Sequence, residues 1–448
     1  MKPDESYKKI RSWMKQHHEW FQKSIPLIAS ENVCSPAVRE AQMCDFGHRY
    51  AEGWPGERVY AGCRYIDKVE LMCIDLMKEY FKAGFVDIRP TSGVVANLVI
   101  YSTFAEAGDL FMPMSIPSGG HISHGPLFAK SGAKIWGSAG AVSRLNVEYM
   151  PFDYDLMNLN VEASKKKIKE LKPKLVMFGG SVFLFPHPVK ELTPVIHDVG
   201  GTVAYDAAHV AGLIGAGYFQ DPLREGSDVM TLSTHKTFPG PQKGAVILPD
   251  GPNLEAHSQL IKSGAFPAAT SNHHLHNVAA VAITAAEMLK WGKEYQGKII
   301  ETAKAFGQAL YERGFDVIAE SHGFTESHTL LISVVKHKDK VGLGGDIERL
   351  LESANIILNR NLLPWDIREG RHYQNPGGIR LGTQEVTRLG MGKSEMETIA
   401  DFFKELVFDG KSPDLVKEEV AEFRENFKRV HYGFGTLEDA YKYIEVFP

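Results

Sequence analysis

The run Ser233-Thr234-His235-Lys236-Thr237 follows the apolar segment VMTL and leads into Phe238-Pro239-Gly240-Pro241-Gln242-Lys243-Gly244. A lysine at a strand end, walled by apolar residues and a Gly/Pro-rich turn, loses hydration, which lowers its pKa and makes the amine nucleophilic. A lone lysine in a loop is, by itself, far more often a solvated surface charge. Its weight comes from Tyr205-Asp206-Ala207-Ala208-His209, which ends the preceding apolar run. An aspartate emerging from a buried strand needs a cationic or donor partner, because an unpaired buried charge is costly. Asp206 facing a protonated pyridine nitrogen, with Lys236 in a Schiff base, is the pairing that pyridoxal phosphate chemistry requires.

Other segments supply what such a group needs. Thr91-Ser92-Gly93, ahead of a helical stretch from Val94 to Tyr101, places a hydroxyl and backbone N–H groups at a helix start. That is a phosphate cradle or an ordinary cap. Ser118-Gly119-Gly120-His121-Ile122-Ser123-His124-Gly125 offers an imidazole on a glycine-rich loop that a flat ring could approach. A metal reading of His121 and His124 lacks an acidic or third ligand at usual spacing. His273, His274 and His276 lack an HExxH arrangement and read as a helix-start cluster facing an interface.

The elements that would position these residues follow from periodicity. KLVMF (174–178), TVAY (202–205), VMTL (229–232) and AVIL (245–248) are nearly continuous apolar runs, as strands covered on both faces should be. Alternating with helical stretches, they predict an α/β domain with a largely parallel sheet, whose ligands bind beyond the strands' carboxyl ends. A helix is expected over Asp67 to Tyr80. Another should run from Asn272, as N-cap, to about Trp291, with a second following through Glu312. Beyond a change of domain near 285–315, HTLLISVV, a helix near Asp346 to Ser353, ILN, IRL and two charged amphipathic helices predict a smaller α+β domain. The expected division is an N-terminal arm over 1–30, a large domain over 31–290 and a small one over 291–448.

The chain's 448 residues suit one large or two to three ordinary domains. Lys plus Arg is 50 against 55 for Asp plus Glu, a net charge of −5, which argues against nucleic acid as the main partner. With 44% hydrophobic and 23% charged residues, a packed core is expected, not disorder. No apolar run is long enough for a membrane helix, and the first twenty residues carry charge throughout, so a cytoplasmic location is expected. Cys34, Cys44, Cys63 and Cys73 form no CxxC pair and read as free, buried thiols.

Six ordered motifs resemble one family, serine hydroxymethyltransferase, a fold-type-I pyridoxal phosphate enzyme, over most of the chain. They are Leu27-Ile28-Ala29-Ser30-Glu31-Asn32 with Ser35-Pro36; Tyr50-Ala51-Glu52-Gly53 through Pro55-Gly56 to Tyr60; Gly119-Gly120-His121 with His124-Gly125; Asp206-Ala207-Ala208-His209; Thr234-His235-Lys236-Thr237 with Gly240-Pro241; and Gly378-Ile379-Arg380-Leu381-Gly382-Thr383. The resemblance implies that Lys236 holds pyridoxal phosphate, that Asp206 partners the pyridine nitrogen, that His121 stacks on the ring and that His209 lies near its phenolic oxygen. It assigns the substrate carboxylate to Arg380, assisted by Ser30 and His209, and the phosphate region to Ser92, Gly93 and His235. Tyr50, Glu52 and Tyr60 would reach into the neighbouring subunit's site, making a homodimer with shared active sites, and Asn361 matches a pterin-contacting segment. The implied reaction moves the hydroxymethyl group between L-serine and a reduced pterin, giving glycine.

Departures from the family pattern are Gln242 for a usual arginine, Ser271-Asn272 for a glycine pair that contacts phosphate across the dimer, and Val59 for the first of two tyrosines. They resemble the archaeal branch, where the carrier can be tetrahydrofolate or a tetrahydromethanopterin-type pterin. The alternative is a threonine or allo-threonine aldolase, or a threonine transaldolase, using the same glycyl carbanion without a pterin. A catalytically silent relative is disfavoured by intact Lys236, Asp206 and Arg380.

Overall fold

A computed structural model describes residues 2–137, 144–435 and 439–446. Its main sheet has seven strands in the order Phe85–Asp87, Pro239–Leu248, Val229–His235, Thr202–Asp206, Leu175–Gly179, Leu110–Pro113 and Asn146–Val147. Pairing is parallel from Val229–His235 through to Asn146–Val147, while Pro239–Leu248 runs antiparallel to both of its neighbours. The AVIL run is thus the end of a long antiparallel return strand, which folds back directly after Lys236.

The apolar runs are continuous because successive residues feed opposite cores. Val176, Phe178, Val203, Tyr205, Met230 and Leu232 point to the core built with the helices Arg64–Phe81 and Leu275–Glu312. Leu175, Met177, Ala204 and Val229 point to the other, built with Gly93–Phe104 and Leu254–Ser263. Both faces being covered, none of the central strands alternates with polar residues.

Where two helices are expected between Asn272 and Glu312, one helix runs from Leu275 to Glu312. Gly292 and Gly297 read as a break in the sequence, yet they are packing positions. A Cβ at Gly292 would lie 3.1 Å from the Tyr80 hydroxyl, and one at Gly297 2.8 Å from that of Tyr218. Nor does Asn272 cap the helix: the N-cap position is His274, whose side chain makes no capping bond, and Asn272 spends its amide elsewhere.

The long helix passes from the first core to a second between Ile299 and Phe306. This second core lies against an antiparallel sheet ordered Asp316–Val317, Thr329–Ser333, Gly378–Gly382 and Asn359–Asn361. Its helices are Gly344–Ser353, Lys393–Lys404 and Pro413–Arg424. After an N-terminal helix, Pro3–Gln22, the chain crosses to this region: Ile25–Pro26 pairs in parallel with Ile356–Ile357. All four cysteines are free, Cys63 and Cys73 buried and the other two partly exposed. No helix among the described residues is long and apolar enough to cross a membrane.

Candidate active site

Asp206 ends its strand nearly inaccessible and accepts three hydrogen bonds, from the Asn97 amide (2.9 Å), from His124 Nε2 (3.0 Å) and from the Ala208 N–H (3.0 Å). The His121 N–H donates to His124 Nδ1, so Nε2 carries the proton given to the carboxylate. Burial alone would raise the Asp206 carboxyl; the hydrogen bonds from His124 and the Asn97 amide oppose it and hold the group well below the ordinary range. A carboxylate has about four lone-pair sites, so one remains for a further donor. Asn97 is oriented in turn by the Thr231 hydroxyl (2.7 Å), and its amide also reaches Ser123 Oγ (3.1 Å), which sits 2.9 Å from His121 Nδ1. Burial, the dominant cause, lowers His121 to about 4, so its ring is neutral and can lie flat on an aromatic group without bringing a charge.

Lys236 is buried, and among the described residues its Nζ donates only to Ser233 Oγ, at 3.3 Å. Desolvation, with Arg380 acting in the same sense against Asp206, lowers it to about 8. The helix that Ser92 caps abuts this strand: a Cβ at Gly93 would lie 2.4 Å from Ser233 Oγ and would displace that hydroxyl. Ser92 Oγ accepts from the Val95 N–H, an N-cap whose remaining backbone donors face the same end of the sheet. His235 Nδ1 is buried without a partner, and its ring, with Ser30 and Asn32, lines a cleft of about 450 Å³.

Arg380 reaches the same region from the second sheet. Its Nε donates to Asn359 Oδ1 (3.1 Å) and its Nη1 to the Ser181 carbonyl (2.9 Å), and burial lowers it to about 10. Among the described residues its hydrogen bonds go to neutral oxygens and no ion pair engages it, so a buried guanidinium with five donors has spent two of them. His209 stacks on His328 at 5.6 Å, and His328 Nε2 donates to the Ala29 carbonyl (3.1 Å), tying the Ser30 segment to this pair. Burial holds both imidazoles well below their ordinary value.

The fold therefore gathers Lys236, Asp206, His121, His209, His235, Ser92, Gly93, Ser30 and Arg380. Others stand apart. Tyr50 and Tyr60 pack on each other at 5.3 Å, half exposed, beside Glu52 and around a second cleft with His48, Arg49 and Ile66. No hydrogen bond or ring contact among the described residues joins them to Lys236. Asn361 lies on the strand that bears Asn359, and its amide bonds the Leu362 carbonyl. Asn97, Thr231, His124, His328 and Asn359 are site residues that sequence reasoning left unassigned; His124 alone carried a signal, in its glycine-flanked motif. The histidines read as an interface cluster divide: His273 is buried on Glu70 (2.8 Å), while His274 is exposed.

The residues present fit pyridoxal phosphate. Asp206 has room for one more donor, Lys236 is an unpaired amine of lowered pKa, His235 Nδ1 lacks a partner, and a helix start faces the lysine strand. A family model described as serine hydroxymethyltransferase matches residues 4–403. Serine hydroxymethyltransferase of Korarchaeum cryptofilum is 55% identical over 434 residues, covering 97% of this chain and 98% of its own. That of Nitrosopumilus maritimus is 52% identical over 447 residues (99% and 98%), and that of Methanothermobacter thermautotrophicus 49% over 438 residues (98% of each).

Proposed function

The chain belongs to the serine hydroxymethyltransferase family, the fold-type-I enzymes that use pyridoxal phosphate to move the hydroxymethyl group of serine reversibly to a reduced pterin, leaving glycine; from that premise we propose how its own residues divide the work. Pyridoxal phosphate supplies the aldehyde that captures the amino nitrogen and the ring that accepts the electrons left on the α-carbon. Lys236 holds it covalently, the amine being unprotonated in useful amount near neutral pH. Asp206, ionised, would hold the ring nitrogen of that group and keep it protonated. Ser92, Gly93 and His235 serve the phosphate, and neutral His121 covers the ring.

Arg380 is the observation that carries the assignment of substrate. A buried cation without a carboxylate of its own recognises one from outside, and its planar fork fixes the amino acid's orientation. Ser30 and His209 complete that end of the site. Glu52 moves a proton in the transfer to the pterin. Because Tyr50 and Tyr60 are exposed on their own chain, with Glu52 partly buried between them in sequence, a homodimer in which the three complete the partner's site is the arrangement that uses them, with Asn361 toward the pterin.

Arg380→Lys retains the charge and loses the fork. Serine affinity and turnover should both fall by at least about tenfold, the cost of one charge-assisted hydrogen bond, while cofactor absorbance stays normal. Unchanged serine binding would assign the carboxylate to another cation. Assaying serine cleavage with tetrahydrofolate and with a tetrahydromethanopterin-type carrier on one preparation identifies the acceptor. Indifference to every reduced pterin, with threonine cleavage intact, would return the aldolase reading.

A further inference from the structure

Arg58 and Asn272 lie outside the gathered site, yet both spend their side chains on the backbone around Glu52. Arg58 Nη1 donates to the carbonyls of Ala51 (2.7 Å) and Gly53 (2.8 Å), the residues on either side. Asn272 accepts from the Ala51 N–H (3.2 Å) and donates to the Arg49 carbonyl (2.8 Å). The carbonyl of Glu52 itself accepts from the Val59 N–H (3.1 Å), and among the described residues no hydrogen bond or ion pair engages its side chain.

The brace is anchored from below. Arg58 Nε and Nη2 donate to Asp67 (2.8 Å) and Glu70 (2.6 Å), its side chain 4% exposed and that of Glu70 fully buried. His273, next to Asn272, donates to the same Glu70 oxygen at 2.8 Å. The His273 carbonyl accepts the buried ammonium of Lys243 at 2.6 Å, on the strand that returns from Lys236. Asn272 and His273 thus hold the Glu52 segment from both sides: one bonds its backbone, the other fixes the carboxylate that aims Arg58. Gly53 has φ +98 and would bring a Cβ within 2.6 Å of the Glu57 carbonyl, so the turn after Glu52 closes tightly. Trp54 then stacks on Phe85 at 5.7 Å.

We propose that Arg58 and Asn272 are positioning residues, which preset the backbone from Arg49 to Gly53 so that Glu52 is presented to a catalytic centre in one orientation. Asn272, standing where the family has glycine, contributes a brace within the chain. This rests on the reading of Glu52 given above. A planar guanidinium with four oxygen partners cannot be replaced by an ammonium, whose three donors radiate from a point.

The test uses the holoenzyme. Arg58→Lys and Asn272→Ala should lower pterin-dependent serine-to-glycine conversion, the former by roughly 10- to 100-fold, as misplacement of a catalytic group does. Cleavage of a β-hydroxy amino acid without pterin should change less than about threefold, within ordinary mutational scatter, and cofactor absorbance should not change. Hydrogen exchange at the Ala51 amide should quicken in Asn272→Ala, which loses the acceptor of that N–H. Added to Glu52→Gln, neither substitution should reduce transfer further. Losses that multiply with that of Glu52→Gln, equal losses in both reactions, or full transfer activity in both variants would overturn the positioning role. A fully active Glu52→Gln would instead overturn the reading of Glu52 and the proposal with it. Should Arg58→Lys fail to fold, Asn272→Ala, which removes no buried charge, decides the matter alone.

Discussion

Two buried cations, Lys236 and Arg380, share the site with one buried carboxylate, Asp206, which already holds three donors. The centre is short of negative charge, and it is built for ligands that bring a phosphate and a carboxylate. That imbalance also keeps Lys236 reactive. Desolvation lowers it to about 8 from 10.5, with Arg380 lowering it further against the pull of Asp206. Only the unprotonated amine attacks an aldehyde, so the rate at which cofactor-free protein captures pyridoxal phosphate should rise with pH and level off above about 8. Arg380→Gln removes one lowering charge and should move that midpoint upward; Asp206→Asn should move it downward. A midpoint left near the ordinary lysine value, read from growth of the absorption band, would show the amine to be solvated.

At this scale Asp206 and Lys236 were legible because one ends and the other closely follows an apolar run, where burial demands a reason; Arg380 was legible only through the family motif Gly378–Thr383. Asn97 and Thr231 were not. A single amide in a helix or a single hydroxyl in a strand looks like any other polar side chain, until parallel pairing of two strands sets Asp206 beside Thr231 and the Gly93–Phe104 helix lays Asn97 across them.

Among the elements, strands were easier to read than breaks. Continuous apolar runs mark buried strands whatever their direction, so the antiparallel sense of Pro239–Leu248 was hidden while its position was plain. Gly292 and Gly297 signalled a break for the reason glycines usually do, yet here they admit Tyr80 and Tyr218 to the helix surface. The helix Gln384–Arg388, directly after the Arg380 strand, shows how the C-terminal segment is fastened. Tyr441 donates to Glu385 (2.6 Å), and Arg39 donates to the Ala440 and Lys442 carbonyls (3.0 and 2.8 Å). Burial raises the Glu385 carboxyl to about 7, with Glu31 adding to it and the Tyr441 bond opposing it; the other carboxyl oxygen is buried without a donor.

Glu385 thus binds its proton more tightly folded than unfolded, where its value is the ordinary 4.5. Raising the pH from 4.5 to about 7 strips the proton from the unfolded chain first, so stability falls across that window and the cost is complete above it. Glu385→Gln keeps an acceptor for Tyr441 and abolishes the ionisation. Its urea midpoint should fall less than that of the parent between pH 5 and pH 8, the difference corresponding to at most about 3 kcal/mol. Parallel pH profiles for the two proteins would mean that Glu385 titrates as an ordinary carboxyl.

At the scale of the whole molecule, the chain presents surface it does not use. Val59 is 69% exposed, Tyr65 64% and Met72 56%, and together with Tyr50, Tyr60 and Leu71 they form an apolar face along the Tyr50–Tyr60 segment and the outer side of the Arg64–Phe81 helix. An exposed apolar patch beside uncommitted catalytic side chains is what a shared active site leaves on a separated subunit. Mixing decides whether sites are shared. A Lys236→Ala chain lacks the lysine of its own site but lends an intact Glu52 to its partner; a Glu52→Gln chain does the reverse. A heterodimer of the two then holds one site with both defects and one with neither. Random subunit exchange makes about half of the dimers mixed, so activity should recover to roughly a quarter of the parent from two nearly inactive preparations, as the two-fold arrangement requires. If instead each chain completed its own site, every site in the mixture would carry one defect, and exchange verified by mass would bring back no activity.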